Sequence, residues 1–518
     1  MRFVARLAIA LATLLSSAWL CWGQQPMPAQ GASPSAFAPR RSASNGPSRT
    51  PPVELTGTWV SDEGDVDDAM APVQPPEQIG AQPFAIDESM ATGGCDCEAC
   101  GGEGCDNCDG GYCDPNAGAG GHGCGLFTPL WCSDMWNEVH AHRRIYAEVD
   151  YLGMWTKGNP LPPLVTTSPL GTPQAQAGVL PESATTQIIF GNGNYDDEFR
   201  NGLRLNLGYW LIDGEFLGVE GQYWALNTAS TTFNANSNFS GGDPNAIILA
   251  RPFTNFDPGL VEPTNDAAIV AFPDGYQLPG QLGTGTLDGS INIRTTSNVQ
   301  SAGSLLRKLV WIDFTMQRRL DLLLGYRFLR IDDSVTIDDS STFIPTSGAV
   351  PEFNLTSQDQ FSSKNIFNGG EIGLKYQSQH GRLGIELIAK SAFGNNQQKT
   401  YINGYNTLTP VGGAPTENIG GLLAQPTNIG TYTRNVFAIV PEADASLRWD
   451  ITCNLRATVG YTFVYINRVQ RSGDAISLDL NPTQINGGTL VGDAVPAFSS
   501  TDSTWYAHGA TAGMEFRW

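Results

Sequence analysis

The sequence has no apolar run of the roughly 18 residues that a membrane-spanning helix requires; the nearest approach, Leu7–Leu20, lies against the N-terminus. Basic charge is scarce. Only 29 Lys and Arg stand against 51 Asp and Glu, a net charge of −22, which argues against nucleic acid as a partner because phosphate binding needs a cationic surface. Histidine is scarcer still, with five in 518 residues, so few side chains are poised for acid–base chemistry near neutral pH. Between Thr50 and His142 there is no Lys or Arg at all, against 17 acidic residues. Residues 1–49 carry +5, and residues 143–518 carry 24 basic and 34 acidic groups, or −10, which with the −17 between them makes up the total.

What is present begins with an export signal. Arg2 and Arg6 precede Leu7–Leu20, and Cys21-Trp22-Gly23 puts small residues at −3 and −1 before Gln24. This layout predicts a signal peptide over 1–23 and an exported mature chain. A lipoprotein reading would make Cys21 the lipid-bearing residue, but the bulky Trp19-Leu20 before it is the wrong chemistry for that cleavage. Residues 24–94 are rich in Pro, Ala, Ser and Gln and then in acidic residues, without periodicity. They cannot bury enough apolar surface to offset chain entropy, and read as a disordered tether.

Residues 95–132 hold eight cysteines. Cys97-x-x-Cys100 and Cys105-x-x-Cys108 present two pairs of sulfurs from tight turns, the spacing that suits tetrahedral zinc. In an exported chain an even number of thiols also suits disulfides, and the oxidising side of the membrane favours cross-links over zinc. Cys453 stands alone in the C-terminal region. Cys97–Gly104 resembles the CxxCxGxG repeat of the DnaJ-type zinc-binding module, with Tyr112 replacing a Gly of the second copy. That resemblance would imply zinc on Cys97, Cys100, Cys105 and Cys108, but no chaperone activity.

From residue 143 onward the pattern changes to strict alternation. Leu455–Tyr465 sets Leu455, Ala457, Val459, Tyr461, Phe463 and Tyr465 against Arg456, Thr458, Gly460 and Thr462. A period of two over eleven residues is a strand with one apolar and one polar face, long enough to cross a hydrocarbon core at a tilt. Similar alternation predicts strands at Ile145–Trp155, Leu203–Leu211, Leu217–Ala225, Val310–Met316, Leu320–Phe328, Ile372–Tyr376, Leu383–Ala389, Phe437–Trp449 and Tyr506–Trp518, ten in all.

Short turns at Asp213-Gly214, around Arg319-Leu320, at Gln379–Gly381 and at Asp450–Asn454 alternate with long segments at 157–199, 228–300, 338–359, 398–433 and 468–503. This rhythm predicts an all-β, up-and-down transmembrane barrel with both mature termini on the periplasmic side. A further hairpin around Ser290–Val299 would raise the count to twelve. The rival, a soluble β-sandwich, lacks any reason for connections of alternating length.

Tyr151–Gly158, Asn206–Trp210, Asp321–Arg330 and Gly513–Trp518 are similar, in order and spacing, to segments of the bacterial outer-membrane beta-barrel porins of family seven. The resemblance spans 143–518 and implies an outer-membrane location and a pore, with no catalytic residues to transfer. The ending Phe516-x-Trp518 is similar to the aromatic signal read by barrel-assembly machinery, Trp518 replacing the usual Phe. Of the histidines, His122, His140 and His142 precede the barrel, His380 falls in a turn, and His508 shares parity with apolar positions. None is placed to activate water or a nucleophile, so the chain reads as a non-enzyme with no cofactor beyond the zinc considered above. Two uses stay open. In one, a lumen lined by Glu148, Asp150, Arg204, Glu220, Arg327, Lys375, Glu386, Lys390, Asp444, Arg448 and Glu515 passes small solutes. In the other, those charges pair and plug the lumen, and long outer loops mediate contacts outside the cell. The acidic pairs Asp196-Asp197, Asp332-Asp333 and Asp338-Asp339 read as solvated loop residues near outer strand ends.

Overall fold

The computed structural model describes residues 144–518, apart from 181–185, 213–214, 280–281, 314–316 and 349. The segments read above as signal, tether and cysteine-rich region lie outside the described residues. Ten long strands form the wall: β1 Ile145–Thr156, β2 Phe199–Trp210, β3 Leu217–Ser237, β4 Gly283–Ile312, β5 Arg318–Gly348, β6 Phe353–His380, β7 Leu383–Pro410, β8 Gly430–Asp450, β9 Leu455–Val469 and β10 Ser503–Arg517. Each pairs antiparallel with its chain neighbours, and β1 pairs with β10, so the ring is closed. At the seam Ile145 and Trp518 exchange both backbone hydrogen bonds at 3.0 Å. Closure matters because an open edge in lipid would leave backbone groups unpaired.

Alternation sets the two faces. Along β6, Asp359, Phe361, Ser363, Asn365, Phe367, Glu371 and Lys375 are buried, while Asn368, Gly370, Ile372 and Leu374 face out. Outward residues form an apolar band: Val149, Leu205, Leu324, Ile372, Ile385, Leu447 and Val459 are all exposed. Aromatic groups border it, with Trp311, Trp449, Phe516 and Trp518 toward the termini and Trp155, Phe199, Tyr326, Phe393 and Phe437 toward the far end. At the far border His508 lies between Trp155 and Tyr506, with ring centroids 6.1 and 6.0 Å away, and its Nδ1 is 2.6 Å from the Tyr461 hydroxyl. Two aromatic girdles around an apolar belt are the surface a lipid bilayer selects.

The count is ten, as expected, and three readings around it are corrected. Ser290–Val299 is the middle of β4 and not an additional hairpin, which removes the twelve-strand alternative. The fourth strand ends at Ile312, so the turn precedes Arg318, with Asp313 N donating to Arg318 O at 2.9 Å; Arg319-Leu320 is already strand. In the sequence Phe314 and Met316 continue the apolar alternation of Val310 and Ile312 past the end of the strand. Third, 338–359 is not a long loop. β4, β5, β6 and β7 run for 30, 31, 28 and 28 residues, well beyond the roughly 9–11 that cross a membrane, and continue past the apolar band as a tall wall.

That wall is packed from within. Short segments between the strands fold into it, including Val165–Thr167, Leu249–Asn255, Thr264–Gln277 and Asp479–Leu480. Their Val165, Leu249, Phe253, Val270 and Leu480 bury against inward Ile291, Ile337, Phe361 and Ile402 of the strands.

Position relative to the band sets the cost of an outward substitution. Leu205→Arg, at mid-band, should destabilise the barrel by about 2–4 kcal/mol, whereas Thr433→Arg, on the exposed outer face of β8 beyond the band, should change it by less than about 0.5 kcal/mol. Urea unfolding in lipid vesicles measures both, and equal costs would remove Leu205 from lipid.

Candidate functional site

Within the band the inward positions are charged, and the charges meet. Arg327 on β5 sits between Glu371 on β6, 2.8 Å away, and Glu442 on β8. Lys390 on β7 lies 3.1 Å from Glu442 and 3.9 Å from Glu371. Arg448 bridges Glu386 at 2.8 Å and Glu515 at 3.0 Å, and Glu386 also takes Lys375 at 3.1 Å. Arg204 reaches Asp150 on the neighbouring strand and Asp444 across the lumen, both at 2.8 Å. Nearer the termini Arg307 and Arg319 share Asp321 at 2.6 and 3.0 Å and lie over the Trp210 ring. All eleven residues assigned to the lumen from parity point inward. Glu148 accepts from Asn206 at 3.0 Å and Glu220 from the Tyr146 hydroxyl at 2.5 Å, which accounts for the two outside an ion pair.

An internal cavity of about 30 Å³ lies among Glu148, Arg204, Glu220, Lys375, Glu386 and Lys390. That is room for about two waters at ~10–15 Å³ each, and none for a solute. Directly above it comes an apolar layer in which Leu152, Met154, Trp224, Val299, Ile331, Phe367, Ala392, Val440, Ile466 and Trp505 bury against one another. Ten strands enclose a width between the side-chain-filled eight-stranded barrel and the aqueous porin. Here the side chains are large enough to fill it.

Beyond the band the interior segments add their own charges. Arg471 bonds Asp333 at 2.6 Å and the carbonyl of Gly158 at 3.1 Å. Arg251 lies 2.6 Å from both Asp339 and Asp359, and Asp359 also accepts from the backbone of Leu423 and Ala424 at 3.1 and 2.8 Å. Burial pushes the Asp339 carboxyl up to about 6, with Arg251 opposing and Asp359 adding to the rise. Asp196 accepts from Thr231 and Thr295, each at 2.9 Å.

These contacts correct the reading of the acidic pairs. Asp332-Asp333 and Asp338-Asp339 straddle the wall of β5: Asp333 and Asp339 enter the packed interior, while Asp332 and Asp338 face out. The arginines that hold the inner members, Arg251 and Arg471, come from segments 228–300 and 468–503, which alternation alone reads as loop. Arg307 was missed for another reason. In Leu305-Leu306-Arg307-Lys308 each face carries one apolar and one basic residue, so parity gives no signal. Cys453, read as lone, is disulfide-bonded. Cys97, Cys100, Cys105 and Cys108 also lie outside them.

Removing one partner of a buried pair leaves an uncompensated charge. Arg327→Met, which strands Glu371 and Glu442 beside Lys390, should cost about 3–5 kcal/mol. Arg468→Met, at the half-exposed pair with Asp502, should cost less than about 1 kcal/mol. Unfolding midpoints in vesicles compare the two, and an unchanged midpoint for Arg327→Met would mean that the lumen is hydrated.

Solved structures resembling the chain are outer-membrane barrels. The outer membrane protease OmpT of Escherichia coli matches at 10% identity and a TM-score of 0.30, over 73% of this chain and 97% of that one. A Pseudomonas aeruginosa FadL homologue matches at 8% identity and 0.17, over 73% and 90%. The P. putida toluene transporter TodX matches at 7% identity and 0.15, over 72% and 89%. At these values none of their activities transfers. No curated protein matches the chain. Residues 146–518, almost the whole described region, match the family described as Putative beta barrel porin-7. The chain belongs to that family of outer-membrane β-barrels.

Proposed function

We propose that the protein is a closed outer-membrane barrel that anchors a rigid surface structure and does not conduct solutes through its lumen. One observation carries this reading: an ion-paired layer, with a cavity of about 30 Å³ among its charges, and an apolar layer are stacked across the same lumen. A water-filled pore needs a continuous polar path, and the buried Leu152, Phe367 and Trp505 interrupt it. The family's name favours a pore, and the packing favours the anchor. We place the termini and the short turns in the periplasm, as the up-and-down topology with short turns at one end supports, so that the tall wall of β4–β7 stands outside the cell. There its outward Ser290, Asn292, Thr296, Asn298, Thr336 and Ser340 offer a hydroxyl- and amide-rich surface to other molecules.

The reading is non-enzymatic: His380 borders the β6–β7 turn and His508 faces lipid with the aromatic border. Phe516 and Trp518 end the closing strand and are proposed as the signal that assembly machinery reads. For Cys95–Cys132 we favour disulfides over zinc on Cys97, Cys100, Cys105 and Cys108, because a zinc site needs reduced thiolates and an oxidising compartment removes them.

Purified, folded protein in a planar bilayer should show no unitary conductance at either polarity. Reproducible channel openings would overturn the anchor reading and restore the small-solute pore, with the cation preference that a net −10 over 143–518 supplies.

A further inference from the structure

On the outer wall, at the far border of the apolar band, three basic residues gather on neighbouring strands. Lys364 on β6 stands directly opposite Lys399 on β7. On its other side Lys364 faces Asp332 on β5, with Arg330 two residues along that strand. All four share the outward parity of their strands. Like charges directly opposite in an antiparallel pair destabilise a sheet, and nothing within the wall relieves this one. Asp332 is engaged by Arg330, whose Nε donates to its Oδ2 at 2.7 Å. Among the described residues neither lysine ammonium lies in an ion pair or hydrogen bond. Partial burial and the neighbouring Arg330 and Lys399 hold the Lys364 ammonium below its ordinary value, and Asp332 only partly offsets them. The cluster therefore carries three cations against one carboxylate, on a chain whose net charge is −22.

Its height on the wall says what would neutralise it. Phe328 precedes Arg330 at the next outward position of β5, and Ile366 lies next to Lys364 on β6, paired across from Arg330. Toward the termini the outward face of β6 passes through Asn368 and Gly370 and that of β5 through Tyr326, at the aromatic border, before Leu324, Ile372 and Leu374 within the apolar band. The cations stand just beyond that border, on the headgroup side of the hydrocarbon-facing surface. One acceptor in the cluster is also unused: Asp332 Oδ1 is buried without a hydrogen-bond partner.

We propose that Arg330, Lys364 and Lys399 form a seat for the phosphate-bearing headgroup of a lipid in the leaflet at the far end of the barrel, with the acyl chains lying along Phe328, Ile366 and Tyr326. The two ammonium groups supply point charge and the Arg330 guanidinium extends the site beyond its bond to Asp332. A bound phosphate turns the repulsion between Lys364 and Lys399 into a bridge between β6 and β7. The seat uses only the outer wall, so it holds whether or not the lumen conducts.

The test takes the full chain in phosphatidylcholine vesicles with a minor fraction of phosphatidic acid, extracted gently and weighed by native mass spectrometry. Wild type should retain one phosphatidic acid per barrel, with a preference over phosphatidylcholine of roughly fivefold for each lysine. K364Q/K399Q should lose that preference and K364R/K399R should keep it. Both variants should still migrate as folded barrels on unboiled gels, since they alter only outward, partly exposed side chains. Millimolar inorganic phosphate should leave the lipid in place. Equal retention by K364Q/K399Q would overturn the seat. Displacement by inorganic phosphate, with no preference for the lipid, would equally overturn it and reduce the cluster to a site for free phosphate.

Discussion

Backbone closure is the constraint from which the rest follows. A sheet in lipid must pair every strand on both edges, and ten strands meet this condition through the β1–β10 seam, where Ile145 and Trp518 bond each other twice. Closure at ten strands fixes a lumen narrow enough for side chains from opposite walls to touch. Arg204 reaches Asp444 from β2 to β8, and Lys390 on β7 donates to Gln222 on β3 at 2.7 Å. Inward charges that would line a wider pore are forced to pair. Burying so many ions is costly, and each pair is tolerated because its partner is within reach.

The same closure explains the height of the molecule. Once β4–β7 leave the band they no longer have lipid on one face, yet they remain paired over their whole length. Their inward faces need partners, and the interior segments provide them. Phe253 and Leu480 fill the space opposite Ile337 and Phe361, while Arg251 answers Asp339 and Asp359. The outer half is therefore a folded core of its own, supported by the barrel beneath it.

The band was legible in the sequence because lipid outside and ion pairs inside impose alternation directly. Ile145–Trp155 and Leu455–Tyr465 were read within a few residues of β1 and β9. Beyond the band that signal disappears. Asp338-Asp339-Ser340-Ser341-Thr342 is polar throughout and reads as loop, although Asp339 and Ser341 are inside and the others face out. What places Asp339 inside is Arg251, 88 residues away, and no local pattern records such a partnership. The lumen's inward residues could be named from parity, but whether they line water or each other depends on the distance across the barrel. The outward cations were hidden likewise: Lys399 lies in 398–433, read as loop, Lys364 lies between the loop read at 338–359 and the strand read from Ile372, and only register sets them opposite.

The central claim is that no water path crosses the apolar layer. Ala392 and Ala507 are fully buried within it, on β7 and β10. Ala392→Cys and Ala507→Cys, treated while folded with a small charged thiol reagent and weighed against the parent protein, test the claim directly. Neither new thiol should gain the label until the barrel is unfolded. Rapid labelling of both in the folded protein would mean that water passes between the walls and would contradict the closed lumen.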